Sequence, residues 1–207
     1  MDKDTTMDSF DNRVPLVKEK LRELVRYAAL SRLKIHADCQ DVEQVELSDD
    51  FRPGKVLANN MVFILVSGES VRMTFKVHFN GDVARSLAFR VFGGASDSAI
   101  SIQRAVDYIK EYCNLVAGSV VSVFEELDIG LGMSLPHSTR GFYEVFSDYQ
   151  EQQHPIIIFN DFWSLNVNKK VLHCSVVLEI LDCKKLEKLI GFEFAVPEDN
   201  HDELDFL

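Results

Sequence analysis

Between Ile100 and Leu127 apolar residues recur every three or four positions with no proline among them, and this segment constrains the fold more than any other. Projected at about 100° per residue, Ile102, Ala105, Ile109, Tyr112, Val116, Val120, Val123 and Phe124 fall on one side, which must face a core. Asp97 and Ser98 supply N-terminal signals, so the spacing predicts a single helix from there to about Leu127, the longest in the chain. The opposite side carries Gln103, Asp107, Glu111, Asn114, Gly118, Ser122 and Glu125. Glu111 and Asn114 stand side by side, with Asp107 one turn earlier on the same stripe. Asparagine is a poor mid-helix residue, and glycine costs roughly 1 kcal/mol against alanine there. Both lie on the exposed stripe, which points to a face built for contact, with Gly118 admitting a close approach by another backbone or a partner.

The rest of the chain must cover the apolar side of this helix. Val14 to Ile35 has helical periodicity, with Pro15 in the first turn, where proline is tolerated. Residues 37 to 55 read as a polar connection holding one short strand, Val45 to Leu47. Met61 to Val66 and Val71 to Phe79 form a hairpin, the second strand alternating so as to bury one face. A helix follows from Asp82, its predicted cap, to Phe92, stopped by Gly93-Gly94. Leu131 to Pro136, Phe142 to Phe146, Pro155 to Phe159, Phe162 to Val167 and Val171 to Leu181 read as strands. The order gives an α+β fold, an antiparallel sheet with long helices packed on one face. Residues 1–13 read as a flexible segment, 14–195 as one domain and 196–207 as an acidic tail.

Composition narrows the function. A formal net charge of −11, with no basic cluster, argues against binding a nucleic-acid backbone. No apolar run approaches a membrane span and the N-terminus lacks a signal-peptide core, so the expectation is a cytoplasmic protein. Cys39, Cys113, Cys174 and Cys183 form no CxxC pair, which suits reduced thiols better than a disulfide framework or zinc site. His78, His137, His154 and His173 are dispersed, so no metal or cofactor site is expected. Gly130-Leu-Gly132 lacks the setting of a dinucleotide-binding loop, and Ser138-Thr139-Arg140-Gly141 reads as a turn rather than an anion site.

The run Asp107-Tyr-Ile-Lys-Glu111-Tyr-Cys-Asn114-Leu-Val-Ala-Gly118 resembles the phosphatase motif of the CheC/CheX/FliY chemotaxis family, with Pro136 in the place of its downstream proline. That motif has Asp or Ser, three residues, Glu, two residues, Asn, and a proline some twenty-odd residues on. Neither the Val14–Ile35 helix nor the Asp82–Phe92 helix has a Glu-x-x-Asn, so the single site looks like CheX rather than the two-site CheC. The resemblance implies a CheC/CheX-like fold and a homodimer. It implies a phosphatase acting on the aspartyl phosphate of a CheY-like receiver domain. Asn114 would orient the hydrolytic water and Glu111 would pair with the receiver's lysine. Asp107, Gly118 and Pro136 would support them, and the divalent metal, magnesium, would be the receiver's own. The main alternative is a receiver-binding or dimerisation module without turnover. A small-molecule enzyme is disfavoured, since the sequence offers no nucleophile–base pair. The C-terminal Asp202-Glu-Leu-Asp-Phe-Leu207 faintly resembles acidic, apolar receiver-tethering peptides.

Overall fold

The computed structural model describes residues 13–39, 41–46, 58–140 and 156–194. In chain order these give α1 (Arg13–His36), β1 (Val42–Glu46), β2 (Asn60–Gly68), β3 (Val71–Phe79) and α2 (Gly81–Phe92). A 3-10 turn (Asp97–Ala99) precedes α3 (Ile102–Glu126). Then follow β4 (Leu131–Met133), β5 (His137–Arg140), β6 (Ile157–Val167), β7 (Lys170–Ile180) and the short α4 (Cys183–Leu186). Among the described residues the strands make one seven-stranded sheet in the order β1-β6-β7-β3-β2-β4, with β5 also on β2. Every pairing is antiparallel. This is the α+β plan expected from the sequence.

The helices lie on the face bearing Phe75, Val77, Trp163 and Leu178, all buried. Phe75 is at the centre of that layer, stacked on Trp163 with ring centroids 6.2 Å apart and edge-on to Tyr112 of α3 at 6.4 Å. Tyr112 is fully buried, and its hydroxyl donates to Ala29 O of α1 at 2.8 Å. That bond satisfies the phenol in the core and pins α3 to α1.

Several sequence expectations are corrected. Asp97 and Ser98 do not open the long helix. They form a single 3-10 turn, Ile100 is extended, and Ser101 caps α3 by accepting from Arg104 N at 3.2 Å. Asp82 does not cap α2 but lies in its first turn, and Asn80 holds the cap position. Gly93 does end α2, at φ 66, its N–H donating to Phe89 O. Residues Val71–Phe79 bury more than one face: Lys76 and His78 are buried too, and His78 Nε2 lies 3.2 Å from Ser175 Oγ of the neighbouring β7. The segments read as Pro155–Phe159 and Phe162–Val167 are one strand, β6. The early strand is Val42–Glu46, and Arg13 already belongs to α1. Leu47, Phe142–Phe146 and the C-terminal acidic segment lie outside the described residues. The four cysteines are free and buried, and no described helix is long and apolar enough to cross a membrane.

His36 closes the C-terminal end of α1 by stacking on Tyr108 of α3, with centroids 4.4 Å apart. Burial drives its pKa down to about 4, and its Nε2 has no hydrogen-bond partner among the described residues. The folded state therefore takes up the proton far less readily than the unfolded chain. The associated stability is intact above pH 6.5 and drains away as pH falls from 6.5 to 4, with a slope of at most about 1.4 kcal/mol per pH unit. Melting curves across that window should show the wild type weakening more steeply than His36→Phe, which keeps the stack but cannot titrate.

Candidate functional site

The polar stripe runs along the solvent side of α3. Ala105, Tyr108, Ile109, Tyr112, Cys113, Val116, Ala117, Val120 and Phe124 form the buried side. Ile102 and Val123, assigned to the core by projection, are respectively exposed and only partly buried. Asp107 is exposed; it accepts from Gln103 Nε2 at 3.0 Å, and Lys110 Nζ lies 3.6 Å from it. Glu111 and Asn114 are half-buried, and neither hydrogen-bonds or ion-pairs with any described residue. Two polar side chains one turn apart, on a helix held rigidly from behind, are thus left with their bonding capacity unspent.

Gly118 continues the stripe. A Cβ at that position would meet nothing within 4 Å, so none of the described residues requires a glycine. Gly118→Ala should raise stability by about 1 kcal/mol through helix propensity alone. If the bare backbone is kept for a partner, the same change weakens docking. A higher melting temperature combined with poorer partner binding is the expected pair of results, read by thermal melting and titration.

Pro136 sits on the sheet edge beside α3, and its surroundings explain why a proline is tolerated there. β4 pairs Met133 with Val66, while β5 pairs His137 with Phe63. Two residues of β2, Ile64 and Leu65, therefore oppose three of the edge strand: Ser134, Leu135 and Pro136. The extra residue is a β-bulge. Ser134 N donates to Leu65 O at 2.8 Å, and Leu65 N–H is satisfied by Ser134 Oγ at 3.1 Å. The serine side chain thus replaces a carbonyl that the bulge removes from the ladder, and Pro136 falls where no donor is needed. The strand expected over Leu131–Pro136 accordingly stops at Met133.

The edge and the helix run antiparallel. Ser138, Thr139 and Arg140 share a cavity with Ile102, Gln103 and Val106, while β4 follows directly from the C-terminal end of α3. Four strand residues at about 3.3 Å and nine helical residues at about 1.5 Å cover the same distance. The bulge therefore falls abreast of the turn that holds Glu111 and Asn114. Ser134 and Leu135 were missed in the sequence reading, although a proline inside a strand pattern is itself a signal for a bulge. Among the described residues no group of three potential ligands could hold a metal ion.

No protein-family model matches the sequence, and no curated protein matches it either. Solved structures do. A CheC-like superfamily protein from Shewanella sp. PV-4 matches with TM-score 0.56 at 11% identity, over 77% of this chain and 97% of that one. CheX from Desulfovibrio desulfuricans matches with TM-score 0.52 at 15% identity, over 75% and 97%. A CheX–CheY complex with BeF3 and Mg2+ from Borrelia burgdorferi matches with TM-score 0.53 at 14% identity, over 75% and 96%. At these identities the likeness is one of fold: the chain has the CheC/CheX-like fold.

Proposed function

From that fold and the Glu111/Asn114 pair, which has no partner among the described residues, we propose that this protein is a cytoplasmic phosphatase for the aspartyl phosphate of a CheY-like receiver domain. The pair carries the reading: a Glu and an Asn stand one turn apart on the solvent side of a helix, and neither is bonded to a described residue. One matching structure is a CheX–CheY complex, which supports a receiver as the partner.

The reaction is hydrolysis of an acyl phosphate. Water attacks phosphorus, the bond between phosphorus and the aspartyl oxygen breaks, the aspartate leaves as a carboxylate, and the water's proton passes to the released phosphate. Phosphoryl transfer depends mainly on positioning and electrostatics, so a neutral carboxamide that fixes the water in line is a sufficient contribution. Asn114 takes that part; it has no useful basicity and is assigned no general-base role. Glu111, one turn away, pairs with the receiver's lysine, so docking and water placement are coupled through one rigid helix. Asp107, already engaged by Gln103 and Lys110, shapes the approach. Gly118 lets the receiver backbone come close, and Pro136 holds the bulge against the docking turn. The divalent metal and the acyl phosphate belong to the receiver. Self-association as a homodimer belongs to the same reading and is checked by sedimentation.

The test loads a panel of the host's receiver domains with a small-molecule phosphodonor and follows loss of the acyl phosphate with and without this protein. Faster loss from one receiver supports the proposal and identifies the substrate. If phosphorylated receiver binds but its phosphate is lost no faster, the protein is a binding module and the enzyme reading falls.

A further inference from the structure

The bulge on the sheet edge does more than accommodate a proline. It turns Leu135 outward until the side chain is 80% exposed, and Met133, two residues earlier on the same edge, is 47% exposed. A single exposed leucine on a soluble protein needs no explanation. Here two large apolar side chains share a short edge, with Leu135 at the level of the turn that holds Glu111 and Asn114, and Ser134 is committed to the ladder so that the bulge can form. The neighbouring helix face is acidic, with Asp107, Glu111, Glu125 and Glu126 against Arg104 and Lys110. An apolar knob bordered by negative charge fits a protein surface with an apolar spot beside a cationic group.

We propose that Leu135, flanked by Met133, is the apolar anchor by which this protein grips its receiver domain, a specificity-determining contact rather than a catalytic one. The inference rests on the phosphatase reading and adds the partner's chemistry: the receiver presents an apolar patch next to its active-site lysine. Glu111 supplies the charged half of the contact and Leu135 the buried half. Burial of the leucine strengthens association in ground state and transition state alike, so its loss raises KM and leaves kcat alone.

The experiment uses the receiver that the wild-type protein dephosphorylates and compares Leu135→Ser and Leu135→Met with wild type in full steady-state kinetics. Leu135→Ser should raise KM about tenfold with kcat unchanged, in line with the burial of one aliphatic side chain. Leu135→Met should restore most of the loss. Exposure of the side chain means that Leu135→Ser should melt with the wild type, and a melting curve checks this. An unchanged KM overturns the anchor while leaving the phosphatase intact. So does an unchanged KM with a dimer lost on sedimentation, which would assign the surface to a second copy of this chain. If the wild type itself accelerates no receiver, the functional reading fails and takes the anchor with it, an outcome visible without any variant.

Discussion

Asn114→Ala should bring acyl-phosphate loss at saturating protein down by about a hundredfold, toward the receiver's own slow rate, while the protein becomes no less stable. The side chain bonds to nothing described in its own chain and is half-buried on a helix surface, so truncation leaves no core group unpaired. Alanine is also the better mid-helix residue, so the melting temperature should hold or rise. Binding of phosphorylated receiver should survive, because Glu111 remains in place. Glu111→Ala should behave differently, losing affinity first. A stable, receiver-binding and inactive Asn114→Ala is the expected signature of a water-orienting carboxamide. Equal rates for variant and wild type would remove Asn114 from the mechanism.

Asp161→Ala should be the most damaging polar substitution for folding, lowering stability by about 3 kcal/mol, read by chemical denaturation. Asp161 lies in mid-strand on the helix-covered face of the sheet, opposite Val176, and is buried. Arg26 of α1 meets it in a two-pronged contact, Nε to Oδ2 at 2.6 Å and Nη2 to Oδ1 at 2.8 Å. The same guanidinium bonds Glu46 of β1 and lies over the Trp163 ring, 5.5 Å from its centroid. Burial works to lower the pKa of Arg26, but the hydrogen bonds it donates to Asp161 and Glu46, with their negative charge, raise it overall. Removing the aspartate leaves a largely buried cation with only the more exposed Glu46. Replacing both partners, as Arg26→Met with Asp161→Leu, should recover much of the loss, because an apolar pair of similar volume leaves no buried cation behind: Arg22, which also lies 3.4 Å from Asp161, keeps Glu19, and Glu46 is exposed.

These two sites differ in how far the sequence discloses them. The long helix is legible because its apolar period is local and runs without interruption, and Ser101 alone shifts its start. Glu111 and Asn114 are legible for the same reason: helical geometry converts a spacing of three into one exposed stripe without reference to the rest of the chain. Gly118 stands out on that stripe by its propensity, and the structure adds that none of the described residues requires it.

Asp161 is not legible in this way. Asn160-Asp161 interrupts an apolar pattern and splits β6 into two predicted strands, because polar residues in mid-strand ordinarily mark a break. What keeps the strand continuous is an arginine 135 residues away, delivered by the packing of α1 on the sheet. The bulge belongs to the same class. Ser134-Leu135-Pro136 can be read from the chain, but its register depends on β2, which turns three edge residues against two. The sequence by itself determined the α+β class, the helix and the chemistry arrayed along it, since periodicity is a property of neighbouring residues. Only the tertiary structure decided which carboxylate meets Arg26, where the edge strand kinks and which leucine stands exposed on that edge, because each depends on a partner supplied from far along the chain.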